Sequence, residues 1–280
     1  VTIDVMMPFY GDVGHFKQAV ISVVDQTDVD WRMVVVDDCY PDPEPADWLT
    51  ALDDPRIVYR RNTVNLGVNG NFRRCVDLAD ADYFVVMGCD DVMAPDYLAT
   101  VRRLAHVNPD AVVIQPGVEV IDDAGRPVSP LGDRIKKRLA PAHATVLSGE
   151  PLAASLFHGN WTYFPALLWR TAEVRDVGFR TGFDVVLDLA LLIDLTVAGG
   201  ALVYDPTVVF AYRRHSGSVS SVQAVDGRRF DEENRFFAEQ ATRLRELGWP
   251  KAARAAKIHA TSRLNQLTQR ASAAASKIRR

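Results

Sequence analysis

The chain has 280 residues, 48% of them hydrophobic and 24% charged, with a net charge of −4. This balance predicts a compact soluble protein with one sizeable core and an appendage, and the body carries no nucleic-acid signature. No run of about 18 apolar residues and no signal-peptide pattern occurs, and Cys39, Cys75 and Cys89 form no CxxC or zinc spacing; together these predict a cytoplasmic protein.

Residues 2–7 read as a first strand that ends in Pro8-Phe9-Tyr10-Gly11. A helix follows, because Phe16, Ala19, Val20, Val23 and Val24 recur at helical spacing. A second strand, 31–36, runs into Asp37-Asp38. A third, 56–61, leads into Asn65-Leu-Gly67-Val-Asn-Gly70-Asn71 and a short helix. The continuous apolar run 83–87 has the pattern of a strand covered on both faces, and it ends in Gly88-Cys89-Asp90-Asp91 before a helix begun at Pro95. Strands and helices in this order predict an α/β fold whose central sheet is mainly parallel and flanked by helices, with its ligands beyond the carboxyl ends of the strands. Two adjacent carboxylates at such an end suit a hard cation, Mg²⁺ or Mn²⁺, carrying phosphate oxygens. Capping of the next helix by Asp90 or Asp91 is the plainer alternative.

Farther along, Gly159-Asn160-Trp161-Thr162 precedes an apolar, strand-like stretch at 163–169, and Trp161 is a candidate for stacking on a sugar ring or for the core. Residues 133–142 read as an exposed basic loop. Residues 183–195 read as a helix apolar almost all round, so Asp184, Asp188 and Asp194 within it need a reason. Asp184 and Asp188 share a face of such a helix, while Asp194 points about 120° away from Asp188. Beyond the next strand comes Tyr212-Arg213-Arg214-His215-Ser216-Gly217-Ser218. From Lys251 to Arg280 the chain has eight basic residues and no acidic one, and Ala260, Leu264, Leu267, Ala271, Ala274 and Ile278 form an apolar seam. That seam predicts a helix packed on the body, paired in a homodimer, or laid on an anionic membrane as a peripheral contact.

Five pieces, Pro8-x-Tyr10, Ser22-Val-Val-x-Gln26-Thr27, Val35-Val36-Asp37-Asp38, Asn65-x-Gly67-x-x-x-Asn71 and Cys89-Asp90-Asp91-x-x-x-Pro95-x-Tyr97-Leu98, stand in the order found in the inverting family 2 glycosyltransferases. The chain resembles that family over roughly its first hundred residues. The resemblance implies the GT-A nucleotide-sugar-binding fold, with residues 1–222 as the transferase domain and 223–280 as a C-terminal helical extension. Within the first, 1–100 would bind the nucleotide and 101–222 would hold the acceptor and the catalytic group. It implies a nucleoside-diphosphate sugar donor, a hydroxyl acceptor on a glycan, lipid carrier or small molecule, and a Mn²⁺ or Mg²⁺ cofactor.

Carried over position by position, the resemblance gives Pro8, Tyr10, Asp37, Asp38, Asn65, Gly67, Asn71 and Arg213 to the nucleotide. It gives Asp90, Asp91 and His215 to the metal, and Asp188 to the catalytic base, with Asp184 as competitor. Gly88 stands where the first Asp of the family's Asp-x-Asp lies, and Leu187 replaces a Glu. Two other readings follow from these departures and from the fold: a scaffold that keeps the nucleotide-sugar site without turnover, and a sugar-nucleotidyltransferase. The latter is disfavoured because the first loop has no basic residue before Lys17.

Overall fold

The computed structural model describes residues 1–183, 185–214 and 228–259. Strands β1 (Ile3–Phe9), β2 (Arg32–Asp37), β3 (Ile57–Arg61) and β4 (Tyr83–Val86) pair in parallel in the order β3-β2-β1-β4. Strands β1, β2 and β4 are buried along nearly their whole length because both faces are covered, whereas the outer strand β3 is half-buried and ends exposed at Arg60 and Arg61. Ile3, Val5, Met7, Met33, Val35 and Val85 face one core, and Met6, Val34, Val36, Phe84 and Val86 face the other.

The first core takes Phe16, Ala19, Val20 and Val23 of α1 (Val13–Val24), Leu49 of α2 (Glu44–Leu52), and Leu98, Val101 and Leu104 of α4 (Tyr97–Val107). The second takes Cys75 and Val76 of α3 (Gly67–Leu78). Strand β5 (Val92–Met93) lies between β4 and α4 in sequence. Two of the sequence pieces noted above prove to be one junction: Gln26 donates to Ala94 O and accepts from Leu98 N, Thr27 donates to Pro95 O and Asp96, and Met93 N donates to Ser22 Oγ. Their job is to fix the Asp90-Asp91 turn and its exit against α1.

The second half extends the same sheet. Strand β6 (Ala111–Ile121) pairs in parallel with β9 (Ala201–Arg213), and β8 (Leu168–Arg170) joins β4 to β6 by running antiparallel to both. The described sheet is thus nine-stranded, with β1, β2, β3, β4, β6 and β9 pointing one way. Strands β5 and β7 (Thr145–Ser148) pair antiparallel with opposite ends of β9. At the β6–β9 bulge a Cβ on Gly117 would lie 2.4 Å from Pro206 O, so the close approach there requires glycine. All six carboxyl ends therefore open on one edge, where the first-half loops and the end of β9 meet.

Three segments depart from the sequence reading. The stretch 163–169 divides into a 3₁₀ turn, Phe164–Ala166, and β8, because Pro165 has no N–H to give a sheet. Residues 133–142 are not a loop: α5 (Leu131–Leu139) buries Asp133 and turns Arg134, Lys137 and Arg138 outward. The helix expected over 183–195 begins later, as α8 (Leu187–Val197), which puts Asp188 in its first turn instead of mid-helix.

Helices α6 (Gly149–His158), α7 (Thr171–Val177), α8, α9 (Arg228–Glu246) and α10 (Pro250–Ile258) cover the second core. Ala252, Ala253, Ala255 and Ala256 are buried, and such small residues let α10 approach α6 and α9 closely. Phe236 and Phe237 reach Phe157, and His259 stacks on Phe237 at 4.8 Å. Up to His259, then, the extension packs on the body. Residues 260–280, which carry the apolar seam, lie outside the described residues. Among the described residues no helix is long and apolar enough to cross a membrane.

Candidate active site

The turn after β4 brings two carboxylates to one point. A Cβ on Gly88 would sit 2.4 Å from Asp91 Oδ2 and 2.9 Å from Asp90 Oδ1, so both side chains fold back over this glycine. Asp91 is 1% exposed; its Oδ1 accepts from Arg213 N at 2.8 Å, while Oδ2 is buried with no hydrogen-bond partner among the described residues. A buried, half-satisfied carboxylate is costly. Burial, and after it the charge of Asp90, pushes the Asp91 carboxyl well above the usual carboxylate range. A cation between the two would remove both penalties, and in this respect the turn fits Mg²⁺ or Mn²⁺. No group of three or more His, Cys, Asp or Glu able to hold an ion by itself occurs among the described residues, so water and ligand oxygens would complete the shell.

Arg213 holds the turn from beneath. Besides its backbone bond to Asp91, it donates from Nε to Asp90 O at 2.7 Å, from Nη1 to Asp122 O and Asp123 O, and from Nη2 to Gln18. These bonds use four of the guanidinium's five N–H groups. Cys89 packs beside Gly11, and the Tyr10 N–H donates to its sulfur; burial, then the Asp90 charge, pushes this thiol up to about 12. The loop after β1 and the turn after β4 are thereby in contact.

On the other side of β1, Asp37 is saturated: Tyr40 N donates at 2.6 Å, Arg61 at 3.0 Å, and Tyr59 through its hydroxyl. Asp38 is buried as well, and Asn62 and Leu66 N both donate to its Oδ1, at 2.9 and 2.8 Å. Asn71 spends its amide on Val36 O and on Asn62. Asn65 accepts from Gly67 N, and Gly67 has φ +71 with nothing within 4 Å of a hypothetical Cβ, so glycine is needed there for its backbone angle. These residues shape a loop whose outer side shows Val64, Leu66 and Val68 to solvent. Tyr10 is 56% exposed and meets Tyr40 edge-on at 5.6 Å, an aromatic corner at the same edge. Pro8 sits within β1 opposite Val36.

The second half assembles a polar cluster from four distant segments. Asp188 Oδ2 accepts from Asn160 Nδ2 at 2.9 Å. Asn160 Oδ1 accepts from Thr162 Oγ1 at 2.7 Å and Thr162 N at 3.2 Å, and Lys136 Nζ donates to Thr162 O at 2.7 Å. Lys136 also lies over the Tyr163 ring at 4.6 Å. Burial is the first cause that brings this lysine down to about 8; Arg214 adds to the lowering, and Asp188 and Asp133 oppose it. Asp133 is the anchor on α5: Arg214 grips both its oxygens, at 2.6 and 2.9 Å, and Tyr163 donates at 2.9 Å. Because Arg213 and Arg214 are adjacent, one strand end holds the Asp90-Asp91 turn and the Asp133 cluster together.

The sequence candidates fare unequally in this geometry. Asp90 and Asp91 converge, and Tyr10, Asp38 and Gly67 stand at the same edge. Trp161 is 2% exposed, donates to Ser155 and packs edge-on against Tyr204, so neither ring face is open to a sugar. Asp194 pairs with Arg180 and Arg243 away from Asp188, a structural ion pair. Asp184 and His215 lie outside the described residues. Sequence reasoning missed Asn62, Tyr40, Lys136, Asp133 and Asn160. The last could have been suspected from its place in Gly159-Asn160-Trp161-Thr162, where the bulky neighbour drew attention.

The family model described as Glycosyl transferase family 2 matches residues 4–158. The chain is 28% identical over 225 residues to the Rhizobium meliloti succinoglycan biosynthesis protein ExoO, covering 78% of this chain and 62% of that protein. It is 33% identical over 105 residues to the putative colanic acid biosynthesis glycosyl transferase WcaA of Escherichia coli, 37% of each. The chain thus spans less than two thirds of either relative. A crystal structure of S. aureus TarS 1-349 in complex with UDP-GlcNAc superposes with a TM-score of 0.67 at 15% identity, covering 85% of this chain and 66% of that one. At that identity the likeness speaks for the fold, which is GT-A.

Proposed function

The chain belongs to glycosyl transferase family 2, and from that premise we propose that it moves a sugar from a nucleoside-diphosphate donor to an acceptor hydroxyl by one in-line displacement with inversion. The observation that carries the proposal is the convergence of Asp90 and Asp91 over Gly88, with a buried, unpartnered Asp91 oxygen, at the carboxyl edge of the sheet. In this reading the two carboxylates hold a Mn²⁺ or Mg²⁺ ion that, when bound, neutralises charge on the leaving diphosphate. Tyr10 brackets the base, and Asp38 Oδ2, the oxygen left by Asn62 and Leu66, accepts a base N–H.

Asp188 is the proposed base. It takes the acceptor hydroxyl proton as the new C–O bond forms and the anomeric carbon to diphosphate bond breaks, and the nucleoside diphosphate departs with the bonding pair. It lies in the first turn of α8 and accepts a hydrogen bond from Asn160. UDP-sugars are the first donors to try, because the TarS neighbour was solved with UDP-GlcNAc. Polysaccharide intermediates are the first acceptors, because the relatives are named for succinoglycan and colanic acid biosynthesis. The test is nucleoside-diphosphate release from a UDP-sugar panel with and without Mn²⁺. Metal-dependent, acceptor-stimulated release supports the reading; tight donor binding without release across donors and acceptors supports a scaffold instead.

A further inference from the structure

We propose that Asn160 is a positioning residue that sets both the orientation and the ionisation of Asp188, and that Thr162 dictates which way the Asn160 amide points. The proposal rests on the reading of Asp188 as the base.

An asparagine amide can in principle present either end to a carboxylate's surroundings. Here the choice is made by its neighbours: Thr162 Oγ1 and Thr162 N both donate to Asn160 Oδ1. The oxygen end is therefore committed, and Nδ2 faces Asp188 Oδ2 as a donor at 2.9 Å. A donor on one carboxylate oxygen favours the charged form and leaves the other oxygen as an acceptor. Asp188 is half-buried, so it has a route to solvent and to a hydroxyl acceptor. The loop that carries Asn160 is pinned from α5 by Lys136 on Thr162 O, and its next residue, Tyr163, is held by Gln115 and Asp133. Lys136 on α5 bears on Asp188 and is itself flanked by Asp133, Arg214 and the Tyr163 ring, while α6 and α7, which carry His158 and Arg175 in their last turns, pack against α8. Glu232 of α9 is engaged with the backbone N–H groups of Val185 and Val186 just before α8.

The arrangement is a three-member relay of orientation, Thr162 to Asn160 to Asp188, with no proton passed along it. Removing Asn160's donor should weaken the ionised form of Asp188. Removing Thr162's hydroxyl should leave the amide in place but less committed, with a smaller effect in the same direction.

The test is the titration of the Asp188 carboxyl carbon by NMR, its signal assigned by its absence in Asp188→Asn, paired with the pH dependence of turnover. Asn160→Leu should move the Asp188 midpoint up by about one to two pH units, the size expected when a hydrogen bond to a charged group is lost. Thr162→Val should move it less, and Thr162→Ser should restore it. The acid limb of kcat should follow the midpoint in each variant, with affinity for UDP and Mn²⁺ unchanged. An Asp188 midpoint that stays put in folded Asn160→Leu or Thr162→Val protein would overturn the proposal, as would a loss of turnover uniform across pH. Full turnover in Asp188→Asn would instead remove the base reading, and the titration would still report on Asn160.

Discussion

The edge proposed to hold the donor and the Asp188 cluster proposed to face the acceptor, here the donor edge and the acceptor cluster, are built differently. Around β1 to β4 each loop is marked by a contact close in sequence: Asp37 with Tyr40, Asn65 with Gly67, Asp90 and Asp91 over Gly88. Longer-range bonds from Asn62 and Leu66 to Asp38 and from Arg213 to the Asp90-Asp91 turn then tie the loops together. The acceptor cluster draws Lys136, Asn160, Asp188 and Arg214 from four separate elements, and apart from the Asn160–Thr162 pair its contacts join residues far apart in sequence. The donor edge also holds charge in excess, two carboxylates with one orphaned oxygen, whereas the acceptor cluster is balanced by Lys136 and Arg214 against Asp133 and Asp188. The first arrangement calls for a cation from outside; the second is complete and can hold a base in a fixed pose.

The largest expected effect breaks the comparison on the acceptor side. Asp188→Asn should lower turnover by about 10²–10⁴ while leaving donor affinity unchanged, as measured by nucleotide release and calorimetry. An equal loss of donor affinity would mean that the two regions are one site. A second large effect is one of stability alone: Trp161→Ala should cost about 3–5 kcal/mol by denaturant unfolding, because a fully buried indole is removed, and should show no sugar-specific defect in the protein that remains folded.

On the donor side, Gly88→Ala should abolish Mn²⁺-dependent UDP binding, because the added methyl collides with both carboxylates. Normal metal-dependent binding in that variant would show that the carboxylates act without converging. Tyr10→Ala is milder. An exposed aromatic stacked on a base contributes about 1 kcal/mol, so UDP affinity should fall several-fold with no change in melting temperature.

The smallest effect is a slope. Lys136 has its folded pKa lowered to about 8 by burial, below its ordinary value of 10.5. Between those two values the unfolded chain binds the extra proton, so stability rises with pH in that window. Wild type should therefore gain stability relative to Lys136→Met as pH climbs from about 8 toward 10.5, and a flat difference in unfolding free energy would show that the ammonium is solvated.

Sequence legibility divides along the same line. The parallel strands and their polar ends were readable because a strand covered on both faces is apolar along its length, as in residues 83–87. The convergence of Asp90 and Asp91 was readable because the two are adjacent. What escaped was non-local. The buried face of α5 could not be seen in Asp133 to Ala142, since its charges look solvated until Arg214 and Tyr163 arrive to pair Asp133. Arg213, which the resemblance gives to the nucleotide, also holds carbonyls of the 90 and 122–123 turns, a bracing role that no local pattern announces. Trp161 attracted the sugar reading through its size, while the polar groups facing Asp188 belong to the residue before it. The late start of α8, which puts Asp188 in a first turn, escaped as well, because burial alone does not locate where a helix begins.

The claim on which the rest depends is that the paired carboxylates over Gly88 hold a metal that carries the donor's diphosphate. Calorimetric titration of UDP into wild type and Asp90→Asn protein, each with Mn²⁺ and with EDTA, tests it directly. Wild type should bind UDP at least ten-fold more tightly with Mn²⁺ than without, and Asp90→Asn, folded by circular dichroism, should lose that difference. Equal UDP affinity with and without metal in wild type, or an undiminished Mn²⁺ effect in folded Asp90→Asn, would contradict the account.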